Sequence, residues 1–152
     1  MTKRSVTHAT FTIERVYDAT PAQVFKANSD QAIKRRWFAE GEGFTVQKYE
    51  LDFRGGGLEI CRFRYGEGDP MTFDAVFQDI VPNERIIVAY SMTIGGNRIS
   101  SSLATTLLHA EGKHTRLVFT EQGAYLDGHD NLKQREEGSR GLLEALAKEL
   151  AG

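Results

Sequence analysis

The sequence predicts an α+β fold, an antiparallel sheet of six to seven strands curved around one long C-terminal helix. Three observations predict it. Segments of alternating polarity joined by short Gly-rich turns fill most of residues 7–122, with one helical insert. Leu132, Leu142, Leu143, Leu146 and Leu150 recur at roughly helical spacing and give the last segment an apolar side. Gly138, Ser139 and Gly141 break that side mid-helix, although an interior glycine costs up to ~1 kcal/mol relative to alanine. A helix that keeps such residues has a backbone close beside it or empty volume there. The sequence therefore predicts a hollow between helix and sheet.

The elements follow in order. Thr7 to Tyr17 alternates, with Ala9, Phe11 and Ile13 on one face and Thr10, Thr12 and Glu14 on the other, as a half-buried strand does. Thr20 is a natural N-cap and Pro21 a natural first helical residue, so a short helix runs to about Asn28. Ser29 or Asp30 caps a second short helix, whose Ile33, Trp37 and Phe38 share a side. Strands are then predicted at Phe44 to Phe53, Leu58 to Tyr65, Met71 to Val81, Arg85 to Thr93, Ile99 to His109 and Thr115 to Gln122. Gly55-Gly56-Gly57 is a sharp corner, and short turns elsewhere imply antiparallel pairing. The long helix occupies about residues 131–150.

Composition narrows the class. At 152 residues, 40 % hydrophobic and 26 % charged, the chain reads as one globular domain over 1–152, with residues 1–6 as a flexible N-terminus. A net charge of −2 gives no reason to expect nucleic acid or an anionic membrane surface. The single Cys61 fits a reducing compartment, and no leader or membrane-spanning run is visible, so the expected location is the cytoplasm.

Chemistry-bearing motifs are sparse. His8, His109, His114 and His129 show no metal-ligand spacing, so no metal and no cofactor is expected. Gly55-Gly56-Gly57 precedes a strand and reads as a bend, not a phosphate cradle. Lys34-Arg35-Arg36 reads as the solvated face of a short helix. Glu121 stands apart. If Leu117 and Phe119 face inward, period two puts its carboxylate on the same side, where an apolar setting raises its pKa and fits it for acid or base work. The alternative is that it reaches water or pairs with Arg98 or Arg135. Asp74 and Arg62 are poorer candidates of the same kind.

Several motifs together resemble a known superfamily. Thr20-Pro21-Ala22-Gln23-Val24-Phe25, Trp37-Phe38, Asp52-Phe53-Arg54-Gly55-Gly56-Gly57, Val81-Pro82-Asn83-Glu84-Arg85-Ile86, Gly112-Lys113-His114-Thr115-Arg116-Leu117, and Gly138 with Leu143 and Leu146 are similar to the SRPBCC, or START-like, superfamily. They look most like the branch named for the activator of the heat-shock-protein-90 ATPase. The resemblance spans residues 7–150 and implies a helix-grip fold, as in birch-pollen-allergen-like proteins, with a cavity that binds apolar ligands in many members. One departure is Ser139, where the branch often carries tryptophan; the exchange opens space or adds a polar handle, unless Arg140 or a strand residue fills the gap.

On this basis Trp37, Phe38, Phe53, Phe73, Tyr90, Met92, Phe119, Glu121, Tyr125, Ser139, Leu142 and Leu143 are expected to line a ligand cavity. The expected function is binding of a small apolar or amphipathic molecule. A polyketide cyclase/dehydratase-like enzyme using Glu121, and a chaperone-interaction module, are the alternatives. A homodimer through edge strands is open.

Overall fold

Alternating polarity builds the strands, and one long apolar helix face closes the sheet they form. The computed structural model describes residues 4–152. β1 (Val6–Tyr17) buries Phe11, Ile13 and Tyr17 and presents Thr10, Thr12, Glu14 and Val16 outward. α1 (Pro21–Ser29) starts with a reciprocal cap: Thr20 Oγ1 accepts from the Gln23 N–H, and Gln23 Oε1 accepts from the Thr20 N–H. Asp30 starts α2 (Gln31–Lys34) by accepting from the Ile33 N–H at 3.1 Å. The chain then widens into a π turn, Arg35–Ala39, closed by the Glu40 N–H donating to the Arg35 carbonyl at 2.9 Å.

β2 (Phe44–Leu51), β3 (Leu58–Tyr65), β4 (Met71–Val81), β5 (Arg85–Ile94), β6 (Asn97–Glu111) and β7 (His114–Leu126) follow, and α3 (Leu132–Ala151) ends the chain. Among the described residues the strands form one seven-stranded antiparallel sheet in the order β1-β7-β6-β5-β4-β3-β2. The first strand thus pairs with the last, from Val6↔Leu126 to Tyr17↔Thr115. Register shifts at Val46/Lys48, Phe77/Asp79 and Met92/Thr93 add local bend to the sheet. The arrangement is the helix-grip fold.

Several boundaries differ from expectation: β7 runs past Gln122 to Leu126 and takes in Tyr125, and β6 spans Asn97–Glu111. β2 stops at Leu51, because the chain turns back on itself at Asp52–Gly57, where a Cβ on Gly57 would collide with the Asp52 carbonyl oxygen. Phe53 therefore leaves the sheet and packs between Phe25 and Phe77, at ring centroid distances of 5.4 and 5.0 Å. Leu132 belongs to the leucine spacing but is 36 % exposed, since it sits in the first turn of α3, outside the covered stretch.

The expectation of a flexible stretch over residues 1–6 falls partly outside the described residues. Within them, Asp127 accepts from the Ser5 N–H at 2.9 Å and from Arg4 at 2.7 Å.

The interior divides into two apolar clusters. One gathers Phe11, Ile13, Val24, Leu117, Leu143 and Leu146 under α3, and the other gathers Tyr49, Cys61, Phe73 and Ala75 toward β2 and β3. Phe38 packs against both. The Tyr17 hydroxyl donates to the Leu143 carbonyl at 2.9 Å and ties β1 to α3. Among the described residues no helix is long and apolar enough to cross a membrane.

Candidate functional site

A hollow of about 600 Å³ lies between α3, the Trp37–Ala39 segment and the inner face of the sheet. Parity fixes the wall. β4 contributes Met71, Phe73 and Phe77, β5 contributes Ile86, Val88, Tyr90 and Met92, and β7 contributes Leu117, Phe119 and Glu121. α3 contributes Gly138, Ser139, Gly141, Leu142 and Leu143. A Cβ built on Gly138 or Gly141 meets nothing within 4 Å. Of the two reasons for a mid-helix glycine, close approach and open space, this helix shows open space.

The wall is mostly apolar and carries two buried polar groups of residues. The first centres on Glu121, which is 1 % exposed. The Tyr90 hydroxyl donates to Oε1 at 2.6 Å, and Arg135 Nη1 donates to Oε2 at 3.3 Å. Arg135 also bonds the Tyr90 hydroxyl at 2.9 Å, Ser100 at 2.7 Å and Asp130 at 2.5 Å. Its shortest carboxylate contact is thus with Asp130, and Glu121 is the second acid beside one cation. Burial pushes the Glu121 carboxyl above its ordinary value, and the bonds from Tyr90 and the charge of Arg135 offset this only in part. Burial likewise pushes the Tyr90 phenol up, so it acts as a donor and not as a base. An acid poised in this way can hold or release a proton toward an occupant of the hollow.

The second group centres on Glu59 of β3. Lys34 Nζ donates to Oε1 at 2.9 Å, and the Tyr49 hydroxyl donates to Oε2 at 2.5 Å. The Lys34 ammonium also lies 4.7 Å from the Phe38 ring centroid, within cation–π range. Both Lys34 and Glu59 line the hollow. Neighbouring Cys61 is buried, and desolvation pushes its thiol up to about 11, which keeps it protonated and unreactive.

Of the residues expected to line a cavity, Trp37, Phe38, Phe73, Tyr90, Met92, Phe119, Glu121, Ser139, Leu142 and Leu143 surround the hollow. Phe53 and Tyr125 do not. Phe53 is drawn into the Phe25–Phe77 stack. Tyr125 has the right parity, but its ring folds over Gly123, where a built Cβ would lie 2.9 Å from Tyr125 Cζ, and packs beside Arg135. The Tyr125 hydroxyl is buried without a hydrogen-bond partner among the described residues.

The pairing of Glu121 with Arg135 was one of two alternatives in the sequence. The other, Arg98, donates to Ser91 instead. Arg62 and Asp74 pair with each other at 2.9 Å, both partly exposed. Arg140 reaches Glu136 at 2.8 Å and does not fill the space beside Ser139.

Lys34 corrects the reading of a solvated basic face. It is buried against Glu59, while Arg35 and Arg36 reach Glu40 and Glu149. The signal was present: Lys34 stands three and four residues before Trp37 and Phe38, so a helix puts all three on one side. Glu59 was legible in the same way, two residues before Cys61 and four before Phe63 on an alternating strand. Among the described residues no group of three or more His, Cys, Asp or Glu side chains is placed to hold a metal ion.

Solved structures share this architecture. A protein from Rhizobium loti is 53 % identical, over 95 % of this chain and 99 % of that one, with a TM-score of 0.89. An uncharacterised protein from Rhizobium leguminosarum is 43 % identical, over 99 % of both chains, with a TM-score of 0.94. The AHSA1-like protein from Aeromonas hydrophila shares the fold at 16 % identity, over 94 % of this chain and 92 % of that one, with a TM-score of 0.71. No curated protein matches the chain. The family described as Activator of Hsp90 ATPase homolog 1-like protein matches residues 18–151, and the chain belongs to that family, within the SRPBCC superfamily.

Proposed function

We propose that this chain is a single cytoplasmic domain that holds a small apolar or amphipathic molecule between α3 and the sheet. One observation carries the reading: a hollow of about 600 Å³ with aromatic and aliphatic walls, facing glycines that leave space unfilled. Small-molecule sites have volumes of ~300–1,000 Å³. Removing ~200 Å² of apolar ligand surface from water at ~25 cal/mol per Å² contributes ~5 kcal/mol before the costs of association. Trp37 gives a direct reporter, since its ring lines the hollow while its Nε1–H is fixed on the Ala27 carbonyl at 2.8 Å. Titration with fatty acids and polycyclic aromatics should change its fluorescence. A ligand at 100 times its Kd adds ~2.7 kcal/mol, a rise of ~8 °C in Tm for a chain of this length. No change in fluorescence, melting or bound mass across both ligand classes overturns the proposal.

A second reading is favoured by Glu121, whose carboxyl is raised by burial and faces the hollow. In that reading the same site is a cyclase- or dehydratase-like enzyme, with Glu121 as acid/base and Tyr90 as the donor that orients it. Turnover of a bound polyketide-type substrate that Glu121→Gln abolishes while leaving binding intact supports it. A complex in which the Glu121 carboxyl makes no contact with the ligand removes it.

A further inference from the structure

Glu59 and Glu121 occupy matched surroundings on the wall of the same hollow. Each is 1 % exposed. Each accepts from a cation carried on a helix, Lys34 of α2 at 2.9 Å and Arg135 of α3 at 3.3 Å. Each accepts from a strand tyrosine, Tyr49 at 2.5 Å and Tyr90 at 2.6 Å. Each cation also lies near an aromatic ring, Lys34 at 4.7 Å from Phe38 and Arg135 at 5.6 Å from Tyr90. An ionised carboxylate has about four acceptor sites. Both glutamates therefore keep acceptor capacity that no protein group uses.

The surface between them is largely aromatic. Glu59, Ala75 and Tyr90 lie on one cross-strand row, and Val88, Ala104 and Glu121 on a neighbouring one. On those rows β4 carries Ala75 and Phe77, and β6 carries Ser102 and Ala104. The Phe38, Phe73 and Tyr90 rings form a continuous row, with centroids 5.2 and 4.8 Å apart, from the Lys34 end to the Arg135 end. Adjacent strands are ~4.8 Å apart, so the Glu59 and Tyr90 backbones stand ~10 Å apart across Ala75.

We propose that the hollow selects an elongated, planar aromatic molecule carrying a hydrogen-bond donor at each end, one donating to Glu59 and the other to Glu121. The aromatic row supplies edge and face contacts along the length of the molecule, and the two carboxylates fix its ends. This rests on the ligand-holding reading and makes it more specific, because an apolar tail with a single head would leave one of the two glutamates unused.

The test is a series of synthetic probes at two lengths. Biphenyl, 4-hydroxybiphenyl and 4,4′-dihydroxybiphenyl form one set, and the corresponding p-terphenyl compounds the other. Calorimetric titration of the native chain should show each hydroxyl tightening Kd about tenfold at the length that fits, equivalent to about 1.4 kcal/mol per step. A crystal structure of that complex should place its two oxygens within about 3 Å of the Glu59 and Glu121 carboxylates. Parent hydrocarbons that bind while neither dihydroxy compound binds more tightly than its monohydroxy counterpart overturn the two-ended site and leave ligand holding intact. An oxygen found away from either glutamate also overturns it. If none of the six compounds binds while a fatty acid does, the two-ended site fails and ligand holding stands; if fatty acids fail as well, both readings fall.

Discussion

Replacing Gly138 and Gly141 together by alanine should make the protein more stable, although both residues lie inside a helix that faces the interior. Nothing approaches within 4 Å of a Cβ built at either position, so the two methyl groups enter free space without steric cost. Helix propensity then decides the sign, at up to ~1 kcal/mol for each replacement and ~2 kcal/mol for both. Unfolding entropy of ~2.1 cal/mol/K per residue gives ~0.3 kcal/mol/K for this chain, so the double variant should melt ~6 °C higher. Scanning calorimetry on the native chain and the variant measures this directly. The same methyl groups narrow the opening of the hollow, so binding of any bulky occupant should weaken as stability rises. An unchanged or lowered Tm would refute the reasoning, because it would mean that the glycines serve a close contact and not an unfilled space.

Three further outcomes follow from the buried polar groups. Glu121 has its folded pKa raised above the ordinary 4.5 by burial, so the folded state holds a proton that the unfolded chain has lost over the window above 4.5. Its contribution is fully present below that window and is lost as pH rises through the folded value. Glu121→Gln, which keeps an acceptor for Tyr90, should therefore gain on the native chain in urea melts as pH rises from 4 to 8; a loss that grows with pH would contradict the assigned cause. Lys34→Met should cost ~3–5 kcal/mol by leaving Glu59 buried and unpaired. Lys34→Met with Glu59→Gln should recover most of that in the same assay, and a double variant no better than the single would show that the ammonium acts through packing. Tyr17→Phe removes the bond to the Leu143 carbonyl and should cost ~1–2 kcal/mol, whereas Tyr125→Phe removes a hydroxyl without a partner and should be neutral or stabilising; denaturant midpoints with equal slopes for both variants would compare them.

Local rules carried most of the fold. Thr20 and Asp30 cap the helices that their side chains announce, and polarity alternation gave the strands to within a few residues at each end. Parity also placed Glu121 on the inner face, before any partner for it was fixed. What parity does not give is the direction a side chain takes after leaving the backbone. Tyr125 shares the face of Phe119 and Glu121, yet it folds back over Gly123 because that position has no Cβ to stop it. Phe53 sits in a strand-like run, but the corner at Gly57 takes it out of the sheet. Lys34 was obscured by its neighbours: in a run of three basic residues, Arg35 and Arg36 do face outward, and charge composition outweighed helical spacing. The relation between Lys34 and Glu59 is also non-local, spanning 25 positions, and no local pattern specifies it.

The hollow and the buried ions break two rules of stable packing at one place, and each breach explains the other. A cavity left by truncating a core side chain costs ~24 cal/mol per Å³. Applied to a space of about 600 Å³, that coefficient gives ~14 kcal/mol, comparable with the whole ~5–15 kcal/mol stability of a domain. A closed, dry void of this size would not survive, so the space must be reached by solvent or by a ligand. The exposed lining residues Glu42, Phe44, Gly138 and Gly141 mark where it opens. An accessible interior also changes the standing of the ion pairs. In a sealed apolar core, Glu59 with Lys34 and Glu121 with Arg135 would be inferior to hydrocarbon of the same shape. On the wall of a chamber that receives a polar-ended guest, their remaining acceptor sites become recognition groups. Filling the chamber from α3, as with Ser139→Trp, should therefore weaken ligand binding more than tenfold without lowering Tm, while leaving both ion pairs in place; loss of folding on that substitution would show that the chamber has no room to give.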